Sequence, residues 1–251
     1  MFRVVVYREF VLMVRYPVNT AGRVVMFLLL FSVVFFGGRL IAGQAIDDSL
    51  EGLVVGYYLW GMATVAYNGL ANDIRSEASW GTLERHFITP YGFGTVLVAK
   101  SVAKLVRTFV TTTFLLGLLI LVTGARLSFD AVTVVLVIVP TLASVMGVGL
   151  AMGGFAVLYK RVGNWIALLQ FAFIGLISAP ALGLGWTRAL PLAQGSALLQ
   201  RTMKQGTPFW QFDPGEVGTL IAVAVGWFVA GYLAFVVAQR RARRLGVLGD
   251  Y

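Results

Sequence analysis

The chain has no cysteine and only one histidine, His86, among 251 residues. It therefore has no disulfide framework, no thiol nucleophile and no thiolate metal site. A metal held by one histidine would need converging carboxylates. The one tight acidic group, Asp47, Asp48 and Glu51, reads as a solvated loop, with cation binding as its alternative. No Gly-x-x-x-x-Gly-Lys-Ser/Thr run occurs, so the chain carries no phosphate-cradling loop for ATP, and Gly92-Phe93-Gly94 is too short a signal to replace one. There is no Gly-x-Ser-x-Gly either, and His86 lies in a polar stretch, so an intramembrane serine protease would lack its base. Charge is scarce as well. Charged residues make up 12% of the chain and hydrophobic ones 59%, whereas soluble domains carry roughly 25% charged residues. That much apolar surface cannot be hidden in a core of this size, so its solvent is lipid.

A spanning helix needs about 20 mostly apolar residues. Six runs qualify: 24–42, 53–71, 105–124, 131–158, 165–184 and 217–238. The fourth would reach about 42 Å at 1.5 Å per residue. It is therefore expected to tilt, to kink at Pro140 or to project beyond the bilayer. The expected fold is all-α: one polytopic domain over residues 1–251 with six transmembrane helices.

The charges orient this domain. With the N-terminus in the cytoplasm, the inner side holds 15 basic and 5 acidic residues and the outer side 5 basic and 6 acidic. This asymmetry places both termini in the cytoplasm. It also accounts for the net charge of +9 through topology and anionic lipid, without nucleic acid. The first apolar run follows Glu9 and several arginines, a poor start for a cleaved signal peptide. The centres of the runs are free of ionisable groups, which argues against an ion-coupled carrier or channel. Arg39, near an outer end, can snorkel.

Four pieces lie between or beside the runs. Residues 1–20 place Phe2, Val6, Phe10 and Met13 on one helical face, with Arg8 and Arg15 opposite. They read as an interfacial helix, or as the start of the first span; Pro17 and Asn19 break the run and favour the former. Residues 73–90 are polar and charged, with Gly81 as a break and Pro90 as a stop. Residues 93–107 put Lys100, Lys104 and Arg107 on one stripe, able to snorkel into headgroups. Residues 185–215, with Trp186 and Trp210, read as an interfacial or re-entrant hairpin able to cover an exit path, or as a packed external loop. Within the runs, Tyr57, Tyr67, Asn68, Gln170, Phe171 and Ser178 are the candidates for a substrate path. Aromatic walls with a few amides suit an amphipathic cargo, and each residue alone is also an ordinary packing residue.

The loop between the second and third runs carries a pattern. Glu77 is followed by Gly81-Thr82-Leu83-Glu84, then Arg85, Phe87, Thr89-Pro90 and, ten positions on, Lys100. Together with six spans, the start Tyr7-Arg8-Glu9-Phe10 and the hairpin before the last span, this resembles the permease subunit of ABC type-2 exporters over essentially the whole chain. The resemblance implies a transport subunit of the plasma membrane, prokaryotic in type, and not an enzyme. Two ABC ATPase subunits would supply ATP and Mg on their own chains, and a second permease copy or homologue would complete the path. Residues Glu77, Gly81, Thr82, Leu83, Glu84, Arg85, Phe87, Thr89 and Pro90 would form a coupling helix seated on each ATPase. The cargo is expected to be drug-like, lipid or otherwise amphipathic, with polysaccharide or glycolipid as the alternative.

Overall fold

A computed structural model describes residues 2–42, 49–79, 93–159 and 163–244. Among them there is no strand. Among the described residues eight α-helices follow one another: α1 (Phe2–Arg15), α2 (Pro17–Ala42), α3 (Leu50–Ser79), α4 (Phe93–Thr123), α5 (Ala131–Tyr159), α6 (Gly163–Ser178), α7 (Ala193–Gln205) and α8 (Pro214–Arg244). Short 3-10 turns join α6 to α7 and α7 to α8.

Among the described residues four helices, α2, α4, α5 and α8, are long and apolar enough to cross a membrane. The chain is thus built as a membrane protein. The other two expected spans differ. α3 has the length, 30 residues, but its glycines, tyrosines and charged C-terminal end dilute its hydropathy. α6 stops at Ser178, not at residue 184. Ala179-Pro180-Ala181-Leu182 tightens into a 3-10 turn that ends at Gly183 in the left-handed region, φ 68°. Pro180 lacks the N–H that an α-helix would need there. Sixteen residues reach only about 24 Å.

Helix starts were also shifted. α2 begins at Pro17, not near residue 24, and Asn19 lies inside it. Pro17 breaks the chain only from the upstream side: at a first helical position its missing N–H costs nothing. Tyr16 is the single non-helical residue between α1 and α2.

α5 is the axis of the bundle. Its 29 residues run through Pro140 as one helix. On one side it meets α8 backbone to backbone. A Cβ at Gly147 would overlap the Trp227 carbonyl, and one at Gly231 would overlap the carbonyl of Gly147. Seven residues on, a Cβ at Gly154 would stand 2.9 Å from that of Ala238. Both helices advance together along this seam, so they run parallel. On its other side Gly149 leaves 3.0 Å between its would-be Cβ and the Tyr67 backbone of α3. In lipid, apolar side chains gain little by leaving the solvent, so small residues that admit close approach decide which helices pair.

α2 is held differently. It sits at side-chain distance from α3, joined by rings. Phe27 and Phe31 pack on Tyr57 at 4.4 and 5.2 Å between centroids, and the Tyr57 hydroxyl donates to the Phe27 carbonyl at 2.7 Å. Most of its remaining surface is exposed and apolar, including Met26, Leu29 and Val33.

The two seams predict opposite outcomes for one kind of substitution. Gly231→Ala should destabilise the protein by about 2 kcal/mol, because a methyl group has no room against the Gly147 backbone. Gly117→Ala in α4, where a Cβ meets nothing within 4 Å, should be neutral or stabilise by up to about 1 kcal/mol. Thermal unfolding of the two variants in detergent, followed by helical circular dichroism, checks the pair.

Candidate functional site

The charged insert is carried on a two-helix stalk. α3 does not end with its apolar run at residue 71; it continues as helix to Ser79, through Asp73 and Glu77. On the far side of the insert α4 begins at Phe93 and runs unbroken for 31 residues. Each helix is about 45 Å long, well beyond a hydrocarbon core of about 30 Å. The two pack on each other, with Tyr58 of α3 hydrogen-bonded to Thr113 of α4 and Gly69 of α3 facing the aliphatic stem of Lys104 of α4. Glu77 therefore belongs to the last turns of α3. Gly81, Thr82, Leu83, Glu84, Arg85, Phe87, Thr89 and Pro90 lie outside the described residues. The described residues thus set where the insert is held, between the ends of two paired helices.

α1 is bound to the same stalk. Arg107 of α4 donates through Nη1 to Glu9 Oε2 at 2.7 Å, and both side chains are largely buried, 19% and 10% exposed. The sequence stripe of Lys100, Lys104 and Arg107 suggested snorkelling into headgroups. Arg107 instead turns inward to a carboxylate, and Lys100 and Lys104 also have interaction partners. Glu9 is buried on α1, while Tyr7, Val11 and Val14 are exposed. The packed face of α1 thus centres on an acid, with Met13 beside it, 3.9 Å from the Thr111 hydroxyl. α1 is a helix separate from α2 and lies along α4.

The opposite end is closed by the segment between α6 and α8. α7 does not float on the surface. Ala193, Ser196, Leu198, Leu199, Thr202 and Met203 are buried, and the helix packs on α5, α3 and α6. A Cβ at Gly195 would overlap the Thr141 side chain of α5, one residue past Pro140. The entry to α7 needs Leu192 at φ 70°, a conformation unusual for a residue with a side chain, held here by complete burial of that side chain. Hydrogen bonds tie the hairpin on every side. Ser196 Oγ donates to the Ile177 carbonyl at 2.8 Å, and Gln194 Nε2 donates to the Glu216 carbonyl at 3.2 Å. The Phe209 amide donates to Thr133 Oγ1 at 2.9 Å. Arg201 Nη1 reaches both Glu216 carboxylate oxygens at 2.8 and 2.7 Å and lies over the Phe212 ring at 5.1 Å. A cavity of about 240 Å³ remains between this cap and the head of α8, with Gln194, Arg201, Glu216 and Arg188 among its lining residues. Trp186 and Trp210 point outward, 66% and 73% exposed.

The six residues proposed for a substrate path do not converge on one cavity. Tyr57 is locked in the ring seam with α2. Gln170 lends its backbone carbonyl to Trp60 Nε1 at 3.5 Å. Tyr67 is buried edge-on against Phe173 of α6 at 5.0 Å, and its hydroxyl has no hydrogen-bond partner among the described residues. Asn68, next along α3, is half-buried. Phe171 is 70% exposed on the outer face of α6, beside Trp165 and Leu168. Ser178 is exposed and its Oγ donates back to the Ile174 carbonyl. The residues that sequence reasoning passed over are the structural ones: Glu9 with Arg107, Arg201 with Glu216, and the glycines of α5. Small residues seven apart, Gly147 with Gly154 and Gly231 with Ala238, were the available signal for the last group.

Glu9→Gln should cost about 3 kcal/mol by leaving Arg107 buried without its counter-charge. The exchanged pair Glu9→Arg with Arg107→Glu should recover most of that loss in a double-mutant cycle. Tyr67→Phe should stabilise by about 1 kcal/mol, since it removes a buried hydroxyl that has no partner. A loss of stability on that change would show that the hydroxyl is bonded after all. No protein-family model, curated protein or solved structure matches this chain.

Proposed function

We propose that this chain is the membrane-spanning permease subunit of an ATP-binding-cassette exporter of the type-2 class. It would cross the plasma membrane of a prokaryotic cell six times, with both termini in the cytoplasm, and be driven by two separate ATPase subunits. The observation that carries this reading is the placement of the Glu77…Gly81-Thr82-Leu83-Glu84…Thr89-Pro90 pattern. Glu77 lies in the last turns of α3, and the rest of the pattern falls in the sequence between α3 and α4, the helix to which α1 is ion-paired. A segment whose two flanks are long helices packed on each other can pass a displacement into the membrane.

In this reading the coupling segment docks on an ATPase groove, with Glu77, Glu84 and Arg85 as charged contacts and Leu83 and Phe87 as the apolar anchor. Closure of the ATPases would move α3 and α4 together, with α1 following through Glu9–Arg107, and rock two permease copies between inward- and outward-facing states. The α7 cap would close the outer end. The exposed faces of α2 and α6, with Phe171 on the latter, favour an amphipathic or lipid-like cargo passing between copies over a large hydrophilic polymer.

Co-expression with the ATP-binding-cassette ATPases of the same genome tests the proposal. The two chains should co-purify from mild detergent. Glu84→Ala should leave membrane insertion unchanged and abolish cargo-stimulated ATP hydrolysis. Undiminished coupled turnover in Glu84→Ala would refute the docking role.

A further inference from the structure

The face of α3 that meets α6 carries polar side chains with nothing to bond to. Trp60, Thr64, Tyr67 and Asn68 fall at the spacing of one helical face. α6 answers with Gln170, Phe173 and Ile177. The Trp60 indole reaches the Gln170 carbonyl, the Tyr67 ring meets Phe173, and a Cβ at Gly56 would stand 3.3 Å from the Ile177 side chain. Two hydroxyls on this face, Thr64 Oγ1 and Tyr67 Oη, are enclosed and have no hydrogen-bond partner among the described residues. Tyr67 as a whole is 0% exposed. The side-chain amides of Asn68 and Gln170, both half-buried, have no such partner there either.

Unsatisfied groups are costly at this depth. Tyr67 packs on Gly149, about 6 Å from the midpoint of α5 at 1.5 Å per residue. The seam thus lies well inside the apolar layer that α5 crosses. Elsewhere in the bundle hydroxyls are satisfied by their own helix. Ser32, Thr111, Thr112, Thr123, Thr141 and Thr202 each donate to the carbonyl four residues back. Thr64 does not use that route. A buried polar group without a partner costs about 1–3 kcal/mol, and amides in lipid ordinarily bond across helices. Four such groups on one seam describe a binding surface in its empty state.

The groups also define what they can hold. Hydroxyls and amides donate and accept, no carboxylate, lysine or arginine stands among them, and the Trp60 and Phe173 rings flank them. This set suits an uncharged molecule with hydroxyl or carbonyl groups on an apolar body. Access is from the lipid, since Gln170 adjoins Phe171 on the exposed face of α6. α6 packs on α3 and on the α7 cap rather than on α5, so this seam can part without disturbing the glycine contacts of α5. We propose that the α3–α6 seam binds a neutral amphipathic molecule, its polar group received by Thr64, Tyr67, Asn68 and Gln170. The role of this molecule as cargo rests on the transport reading; its binding does not.

Binding is measured on the full chain alone, in phosphatidylcholine nanodiscs without ATPase or nucleotide, with 1,2-dioctanoylglycerol as the probe. Native mass spectrometry should show one saturable probe per chain, and the probe should raise the unfolding temperature. Dioctanoylphosphatidate, which adds charge, and hexadecane, which cannot hydrogen-bond, should do neither. Tyr67→Phe should raise the unfolding temperature of the empty protein and yet weaken probe binding roughly tenfold. Thr64→Val should weaken binding as well. Thr112→Val, which removes a hydroxyl already bonded to the Thr108 carbonyl, should bind the probe as the parent does, and so should Glu84→Ala. No saturable binding, equal binding of phosphatidate or hexadecane, or unchanged affinity in both Tyr67→Phe and Thr64→Val would overturn the site and leave the ATPase docking untouched. Probe binding as expected in a chain that never couples to an ATPase would overturn the transport reading alone.

Discussion

The close approach of α5 to α8 and α3 is the constraint on which the rest of the bundle depends. Gly147, Gly154 and Gly231 allow two helix backbones to touch where any side chain would hold them apart. Gly149 does the same toward Tyr67. In lipid this contact cannot come from hiding apolar surface, because the surroundings are already apolar. It comes from dispersion over backbone atoms at short range, which falls off within an ångström of separation. With α5, α8 and α3 fixed together, the head of α5 becomes a floor for α7, and Gly195 can lodge on Thr141. The same block gives α3 a rigid base from which to extend past its apolar stretch.

The two ends of the molecule are built from different materials. At the hairpin end, buried hydrogen bonds and the Arg201–Glu216 pair close the structure over α5 and α8. At the other end, α3 and α4 run on as helices past their apolar stretches, and one buried charge pair ties α1 to α4. α2 touches α3 mainly through aromatic rings, leaving broad apolar faces on α2 and α6 without a neighbour among the described residues. A second copy of the permease would be the natural partner for such faces in the proposed assembly. The block around α5 would then move as one body, with the ring seam and the uncovered faces as the places where movement is easiest.

Much of this was legible in the sequence, for identifiable reasons. Long apolar runs declare helices in lipid, and Asp73–Pro90 stood out because charge is rare elsewhere. Pro17 marked the boundary of α1, though a proline at a first helical position starts the next helix at once. The end of α6 was hidden because hydropathy continues through Leu182 and Leu184; only Pro180 carried the stop. Arg107 was misread because a basic stripe looks the same whether it faces headgroups or a neighbouring helix. Its partner, Glu9, is 98 positions away. The candidate path residues were chosen by type, and type does not reveal which seam a tyrosine occupies. With 29 glycines in the chain, the seven-residue spacing of Gly147 and Gly154 is easily overlooked, and the pairing of Gly147 with Gly231 in space shows which ones set the packing.

The central claim is that the 80–92 segment meets an ATPase, and the absence of native cysteine makes it directly testable. A single cysteine at Thr82, labelled with a photoactivatable cross-linker, is compared with one at Gln205 in the hairpin, both in membranes containing the co-expressed ATPase. The account predicts a cross-linked permease–ATPase adduct from Thr82→Cys, with a yield that changes when ATP hydrolysis is trapped, and none from Gln205→Cys. Equal adducts from both positions, or no adduct from the loop while the two chains are present in the same membrane, would contradict it.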